Sequence, residues 1–336
     1  ATLAQQYKVK KDGEVTGGPV YYIRAAFKGT FGEALAAIFA ILIVLALGFT
    51  GNMVQSNSIG AAFSEVFSAR NIEIPSIVFG LILAAVIGFI FLGGVNRLAS
   101  VVEKIVPIMA GIYIVGSLVL ILMNITALPE AIKMIFVGAF NPEAVVGAGA
   151  GIAVREAIRF GVARGLFSNE AGMGSTPHAH ARAKVENPHK QGLAAMISVF
   201  IDTFIILNLT VFSILTTGVL DSGKEGTALT QAAFTKGFGN FGDIFVAVCL
   251  LFFAFSTILG WHFFGEVNVK YLFGEKAAKF YSILVIGFVI VGSTLKVQLV
   301  WSLSDFFNGL MVIPNAIALW ALSGIVVKIC KQYGKK

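Results

Sequence analysis

The chain has 336 residues, of which 57% are hydrophobic and 13% charged, with a mean hydropathy of +0.85 and a formal net charge of +7. A soluble domain carries about 25% charged residues, so this composition excludes a water-soluble globular protein. The basic excess lies between apolar runs, which excludes a nucleic-acid footprint, and Cys249 and Cys330, both in apolar surroundings, offer neither a disulfide framework nor thiolate metal-ligand spacing.

The opening stretch, ATLAQQYKVKKDGEVTGG, reads as the end of a helix entering a loop and is too polar for a signal peptide. Apolar runs then recur along the chain, beginning with EALAAIFAILIVLALGFTG (33–51) and SIVFGLILAAVIGFIFLGG (76–94). Each approaches the ~20 apolar residues that cross a ~30 Å hydrocarbon core. Eight spans are predicted, at 32–66, 75–94, 104–126, 145–168, 192–218, 241–267, 279–295 and 299–329. Such a series cannot share one aqueous core, so the fold class is an all-α polytopic membrane protein. The first and last spans are long, which predicts tilt or a break. The connections 127–144 and 219–240 contain helical stretches that could fold back over one membrane face.

Basic residues set the orientation. Eighteen of the 25 Lys and Arg fall in segments on one side, five on the other, and Arg155 and Arg159 within a span. This asymmetry places both chain ends, residues 1–31 and the segment after Arg164 in the cytoplasm, and the protein in the plasma (inner) membrane.

The fourth span leads into GVARGLFSNEAGMGSTPHAHARAK (161–184). Charges at membrane depth, here Arg155, Glu156, Arg159 and Arg164, are costly and should face protein or a water-filled path. Gly161, Gly165, Gly172 and Gly174, with Glu170, read as a helix break near 161–175. Non-helical backbone is tolerated at that depth only where it is enclosed by protein or lines a cavity, and there it exposes N–H and C=O groups that can bind a carboxylate or a cation. A helix that ends at the inner surface in a Gly-rich loop is the plainer alternative.

Four other polar features stand out. Asp202 and Asp305, lone acids within spans, read as structural partners for Arg155, Arg159 or Arg164, with a place in the ion path the alternative. Glu170 reads as a lock on the break, bonding freed backbone N–H groups, with ion sensing the alternative. His178, His180 and His189 fall in the predicted cytoplasmic loop and read as solvated or headgroup-facing. No nucleophile–base pair appears at a useful spacing, so an enzyme is not expected.

The stretch FSNEAGMGSTPHAHA resembles the signature of the alanine or glycine:cation symporter family, that is, the sodium:alanine symporters. The likeness extends to GGPVYYI (17–23), GNMVQSNS (51–58), FFAFSTILGWHFFGE (252–266) and SDFFNGLMVIPN (304–315), in the family's order. It implies a leucine-transporter-like fold of two inverted repeats of five helices. On that reading the chain starts at the end of the second core helix and carries core helices three to ten. Residues 1–31 would then be a cytoplasmic loop, 32–126 the rest of the first repeat, 127–144 an extracellular connection, 145–329 the second repeat and 330–336 a cytoplasmic tail.

The resemblance also implies a site. Gln55, in mid-helix, would offer its amide to the substrate's backbone, although a helix-to-helix hydrogen bond is the alternative. Phe167 resembles the family's pocket aromatic. Ser256 and Thr257 would supply hydroxyl oxygens to sodium, unless each only bonds back to its own helix. Thr257 and Trp261 share a helix face, and Trp261 would wall off a small side chain or act as an interfacial anchor. Where the family usually has Ser-Tyr-Tyr after this Trp, the chain has His262, Phe263 and Phe264. The implied function is sodium-coupled uptake of alanine or glycine by alternating access, with sodium as coupling ion, no cofactor, and membrane lipid as the surroundings. A proton-coupled or uncoupled permease is the alternative, and a channel or membrane-embedded enzyme a more remote one.

Overall fold

The computed structural model describes residues 1–11, 13–91, 94–140 and 150–334. The end of the predicted connection 127–144, the start of the predicted span at 145 and the tail residues Lys335 and Lys336 lie outside the described residues.

The N-terminal stretch is more ordered than its polarity predicts. Helix α1 (Thr2–Gln6) is followed by strands β1 (Val9–Lys11) and β2 (Glu14–Thr16), paired antiparallel with Val9 opposite Thr16 and Lys11 opposite Glu14. Gly13 between them has a φ of 83°, in the left-handed region that tight hairpin turns use. Helix α2 (Pro19–Ala26) follows, with proline in its first turn.

The first predicted span is a continuous helical rod, α3 (Thr30–Ile43), a π-type segment Val44–Gly51, and α4 (Asn52–Ser68). The wide segment has a local cause. The Thr50 hydroxyl donates to the carbonyls of Leu45 and Ala46 at 3.0 and 2.9 Å, and the Asn52 amide donates to Gly48 O at 3.0 Å. Side chains thus compete with the helical ladder, a recurrent origin of π-bulges and of helix bends. Helices α5 (Ser76–Phe91), α6 (Gly94–Met123) and α7 (Leu128–Phe140) come next.

Helix α8 (Ala150–Asn169) ends in a break, and α9 (Pro177–Arg182) resumes beyond it. Helix α10 (Pro188–Phe200), a second π-type segment (Ile201–Ile206) and α11 (Leu207–Thr217) form one rod that stops at left-handed Gly218. Helix α12 (Gly226–Phe238) occupies the long connection, followed by α13 (Gly242–Phe273) and α14 (Glu275–Gly292). The last predicted span is two helices, α15 (Val297–Ala321) and α16 (Ser323–Tyr333), divided at Leu322.

Among the described residues, five rods are long and apolar enough to cross a membrane: Thr30–Ser68, Ser100–Met123, Pro188–Thr217, Gly226–Phe273 and Val297–Ala321. Helix α5 is apolar but shorter. The charges of α8, and Glu275, Lys276 and Lys279 of α14, make those two helices more polar.

The core brings together α2, α3, α5, α13, α14 and α15, with Ile23, Phe39, Ile87, Leu259, Val289 and Met311 among its buried side chains. Lipid is as apolar as leucine, so helix association there depends on close packing and on polar groups that find partners. Asn57 of α4 is such a group, donating to Gly292 O at 2.9 Å and Leu295 O at 2.7 Å at the end of α14.

Candidate functional site

The break between α8 and α9 runs from Glu170 to Thr176. Glu170, Gly172 and Gly174 have φ of 55°, 87° and 91°. Glycine adopts this left-handed region freely, whereas a residue with a Cβ pays about 1–2 kcal/mol there. The loop is held from several sides. Asn169 Oδ1 accepts from the Ala171 N–H at 2.9 Å, the Asn315 amide of α15 donates to Gly172 O at 2.8 Å, and Tyr22 OH of α2 donates to Asn315 Oδ1 at 2.5 Å.

Two of the glycines expected in the break are not part of it. Gly161 and Gly165 lie inside continuous α8, and nothing approaches the positions where their Cβ atoms would be. A glycine in a helix costs about 1 kcal/mol relative to alanine, which an otherwise complete hydrogen-bond ladder tolerates. Glu170 also acts differently from expectation. Its carboxylate does not cap freed N–H groups: Oε1 accepts from Trp261 Nε1 at 2.5 Å, and Oε2 accepts from the Ser175 hydroxyl.

Trp261, at mid-length in α13, is buried, with its six-membered ring against Gly51 at the end of the first π-type segment. Phe167, in the last turn of α8, meets Trp261 edge-on at 5.2 Å and Trp301 at 4.8 Å. The Arg164 guanidinium lies 3.9 Å from the Trp301 ring and donates twice to Asp305, at 2.8 Å each. A continuous column therefore runs from Asp305 through Arg164, Trp301, Phe167 and Trp261 to Glu170.

Asp305 has the arginine partner expected of it. Asp202 does not. It accepts from the Ser168 hydroxyl at 2.8 Å, two residues before the break, and beside it Asn169 donates to Thr203 Oγ1 at 3.1 Å. The π-type segment Ile201–Ile206 brings these hydroxyl and carboxyl groups onto the α8 end.

Gln55 follows Gly51 by one helical turn and so shares its face; it is half-buried and its amide bonds no other described side chain or backbone group. Ser256 and Thr257 both donate to Phe253 O, at 3.0 and 2.8 Å. That uses the protons and leaves oxygen lone pairs directed away from the helix. Ser256 turns towards Met109 of α6, with its oxygen 3.8 Å from the sulfur, whereas Thr257 lies one turn from Trp261 on its face.

His178 is not solvated. It is buried, with Nδ1–H donating to Ser175 O at 2.7 Å and Nε2 accepting from the Asn268 amide at 2.8 Å. Burial lowers its pKa to about 4. His180 is half-buried and bonds Gln191 at 2.7 Å. Sequence position hid both, because α9 folds back onto α13 instead of leaving the bundle.

A cavity of about 850 Å³ opens beside the break, lined by Ser168, Asn169, Glu170, Thr176, Asp202 and Asn315 among others. Gln55, Phe167, Thr257 and Trp261 do not line it. Glu170 is shared: it lines the cavity, and its carboxylate accepts from Trp261 on the aromatic column. Asn315 and Trp301 escaped sequence reasoning; an amide beside Pro314 within a span was the available signal for the first.

An interrupted helix braced by intact ones is the arrangement that secondary transporters use to hold substrate and coupling ion. The sodium:alanine symporter family model matches residues 1–336, and the chain belongs to this family. It is a transporter and not an enzyme. The amino-acid carrier protein AlsT of Bacillus subtilis is 41% identical, over 100% of this chain and 70% of the relative. The probable sodium/glutamine symporter GlnT of the same organism is 40% identical over 100% and 68%, and the sodium/alanine symporter AgcS of Methanococcus maripaludis 37% identical over 100% and 73%.

Proposed function

We propose that the protein couples inward sodium movement to uptake of a small neutral amino acid, alanine or glycine, by alternating access. The observation that carries this reading is the break at Glu170–Thr176, whose Gly172 carbonyl is held by Asn315 while Phe167 and Trp261 meet edge-on beside it. A broken helix next to an intact one can pivot without disturbing the ladder of its neighbour. In this reading Gln55 meets the substrate's polar backbone, Phe167, Thr257 and Trp261 surround its side chain, and Thr257 and Ser256 offer oxygens to sodium. The arrangement is a leucine-transporter-like pair of five-helix repeats, with 32–126 in the first, 145–329 in the second and both chain ends cytoplasmic. AgcS, named for alanine, supports the substrate assignment; GlnT, named for glutamine, makes the bulk of Trp261 the feature to test.

The test is uptake of labelled alanine into proteoliposomes with and without an inward sodium gradient. Accumulation that follows the gradient and is competed by glycine supports the reading. Alanine flux of equal size without sodium overturns it. A proton-coupled permease is the second reading, favoured by the carboxyl groups of Glu170 and Asp202 near the break, and accumulation driven by a proton gradient alone would establish it.

A further inference from the structure

Trp261 is fixed at two edges. Its six-membered ring faces Gly51, where a Cβ would lie 2.7 Å from Cζ3, and its N–H donates to Glu170 Oε1 at 2.5 Å. Phe167 meets it edge-on from α8. Glu170 is in turn committed to this position. Its second carboxylate oxygen is engaged by Ser175, and its backbone is left-handed, a conformation that only Asn71 shares among the described non-glycine residues. Strain of this kind persists where the surroundings over-determine it, and it concentrates at ligand clamps and switches. No backbone need of the loop explains a glutamate here, because Asn169 and Asn315 already hold the loop and glycine would adopt the conformation without strain.

We propose that Glu170 is a positioning residue for substrate selection: by holding the indole N–H of Trp261 it sets how far the ring stands into the substrate space, and hence the largest side chain that fits. The proposal rests on Trp261 being a pocket wall. It also links the wall to the break, since a shift of residues 170–175 must move the oxygen that holds the ring. The size limit would therefore differ between conformations in which the break is open and closed.

The experiment measures competition against labelled alanine uptake in proteoliposomes by alanine, leucine and glutamine, for the wild type and for Glu170→Ala, Glu170→Gln, Trp261→Phe and Trp261→Ala. A hydrogen bond to a charged group and the fit of one methylene are each worth about tenfold or more. The inhibition ratio of leucine to alanine should therefore shift by about tenfold towards leucine in Glu170→Ala. Glu170→Gln still presents an oxygen to the indole and should restore the wild-type ratio. Trp261→Phe keeps most of the bulk but removes the N–H; it should shift the ratio in the same direction, and adding Glu170→Ala to it should change nothing further. Should Glu170→Ala fail to reach the membrane, Trp261→Phe alone decides the question, because it removes the N–H that Glu170 holds and leaves Glu170 in place. A wild-type ratio in Trp261→Phe, or an equal loss of selectivity in Glu170→Gln and Glu170→Ala, overturns the proposal. If Trp261→Ala leaves the ratio unchanged, the wall itself is disproved, and that failure is distinct from one confined to Glu170.

Discussion

At the scale of single residues, the two neighbouring hydroxyls of α13 are not equivalent. Ser256 faces the Met109 thioether, a poor partner for a hard cation, while Thr257 lies on the Trp261 face. Thr257→Ala is therefore expected to raise the sodium concentration for half-maximal uptake by about tenfold, and Ser256→Ala by much less. Sodium titration of alanine uptake, normalised to protein abundance, checks this; equal effects would show both hydroxyls at the ion, and no effect of either would place the ion elsewhere. His178 gives a second residue-level prediction. Its folded pKa, about 4, lies below the ordinary 6.5, so between those values the unfolded state binds the extra proton. This contribution is complete above about pH 6.5 and is lost as pH falls towards 4. Protonation would also set an N–H against the Asn268 amide donor. Thermal unfolding in detergent should show the melting temperature falling across that window, with a shallower fall in His178→Gln.

At the scale of elements, α13, α14 and the first π-type segment meet around one side chain. The Tyr281 hydroxyl of α14 occupies the space that a Cβ on Gly265 or on Gly48 would need. Among the described residues that hydroxyl is buried without a hydrogen-bond partner. A buried polar group left unpaired costs about 1–3 kcal/mol. Tyr281→Phe is therefore expected to be neutral or stabilising. Gly265→Ala should destabilise by about 1–3 kcal/mol through overpacking, and by clearly less in the Tyr281→Phe background. Melting temperatures of the two single variants and the double variant test this, and a strongly destabilised Tyr281→Phe would reveal a partner for the hydroxyl. Comparable logic applies where α8 meets α15, since the Arg164–Asp305 pair and Trp301 hold the helix that leads into the break.

For the whole molecule, the distribution of Lys and Arg predicts how the bundle sits in the membrane. Lys184, Lys224 and Lys331 are all exposed. In a background without Cys249 and Cys330, cysteines at 184 and 331 should be shielded from an impermeant thiol reagent in intact cells, and one at 224 should label. Labelling at 184 from outside would invert the assigned orientation. Position 224 has a further use, because Lys224 pairs with Glu65 at 2.8 Å and so reports on the contact between the end of α4 and the connection preceding α12.

Composition and apolar period by themselves determined the helical membrane class and where the long apolar helices run, because a residue's preference for lipid acts locally and accumulates along a segment. The observed rods Thr30–Ser68 and Pro188–Thr217 match spans read at 32–66 and 192–218. An interruption near 161–175 was likewise legible, since glycine and proline act on their own backbone, although Gly161 and Gly165 at its start are helical. Tertiary structure decided what that interruption does. Which glycines break the helix depended on distant partners, such as Asn315, 143 residues away, at the Gly172 carbonyl. The burial of His178, the choice of Ser168 over an arginine for Asp202, and the bond between Glu170 and Trp261 all depend on distances between helices. A hydrogen bond needs its atoms within about 3 Å, and only packing of the whole bundle brings distant segments that close.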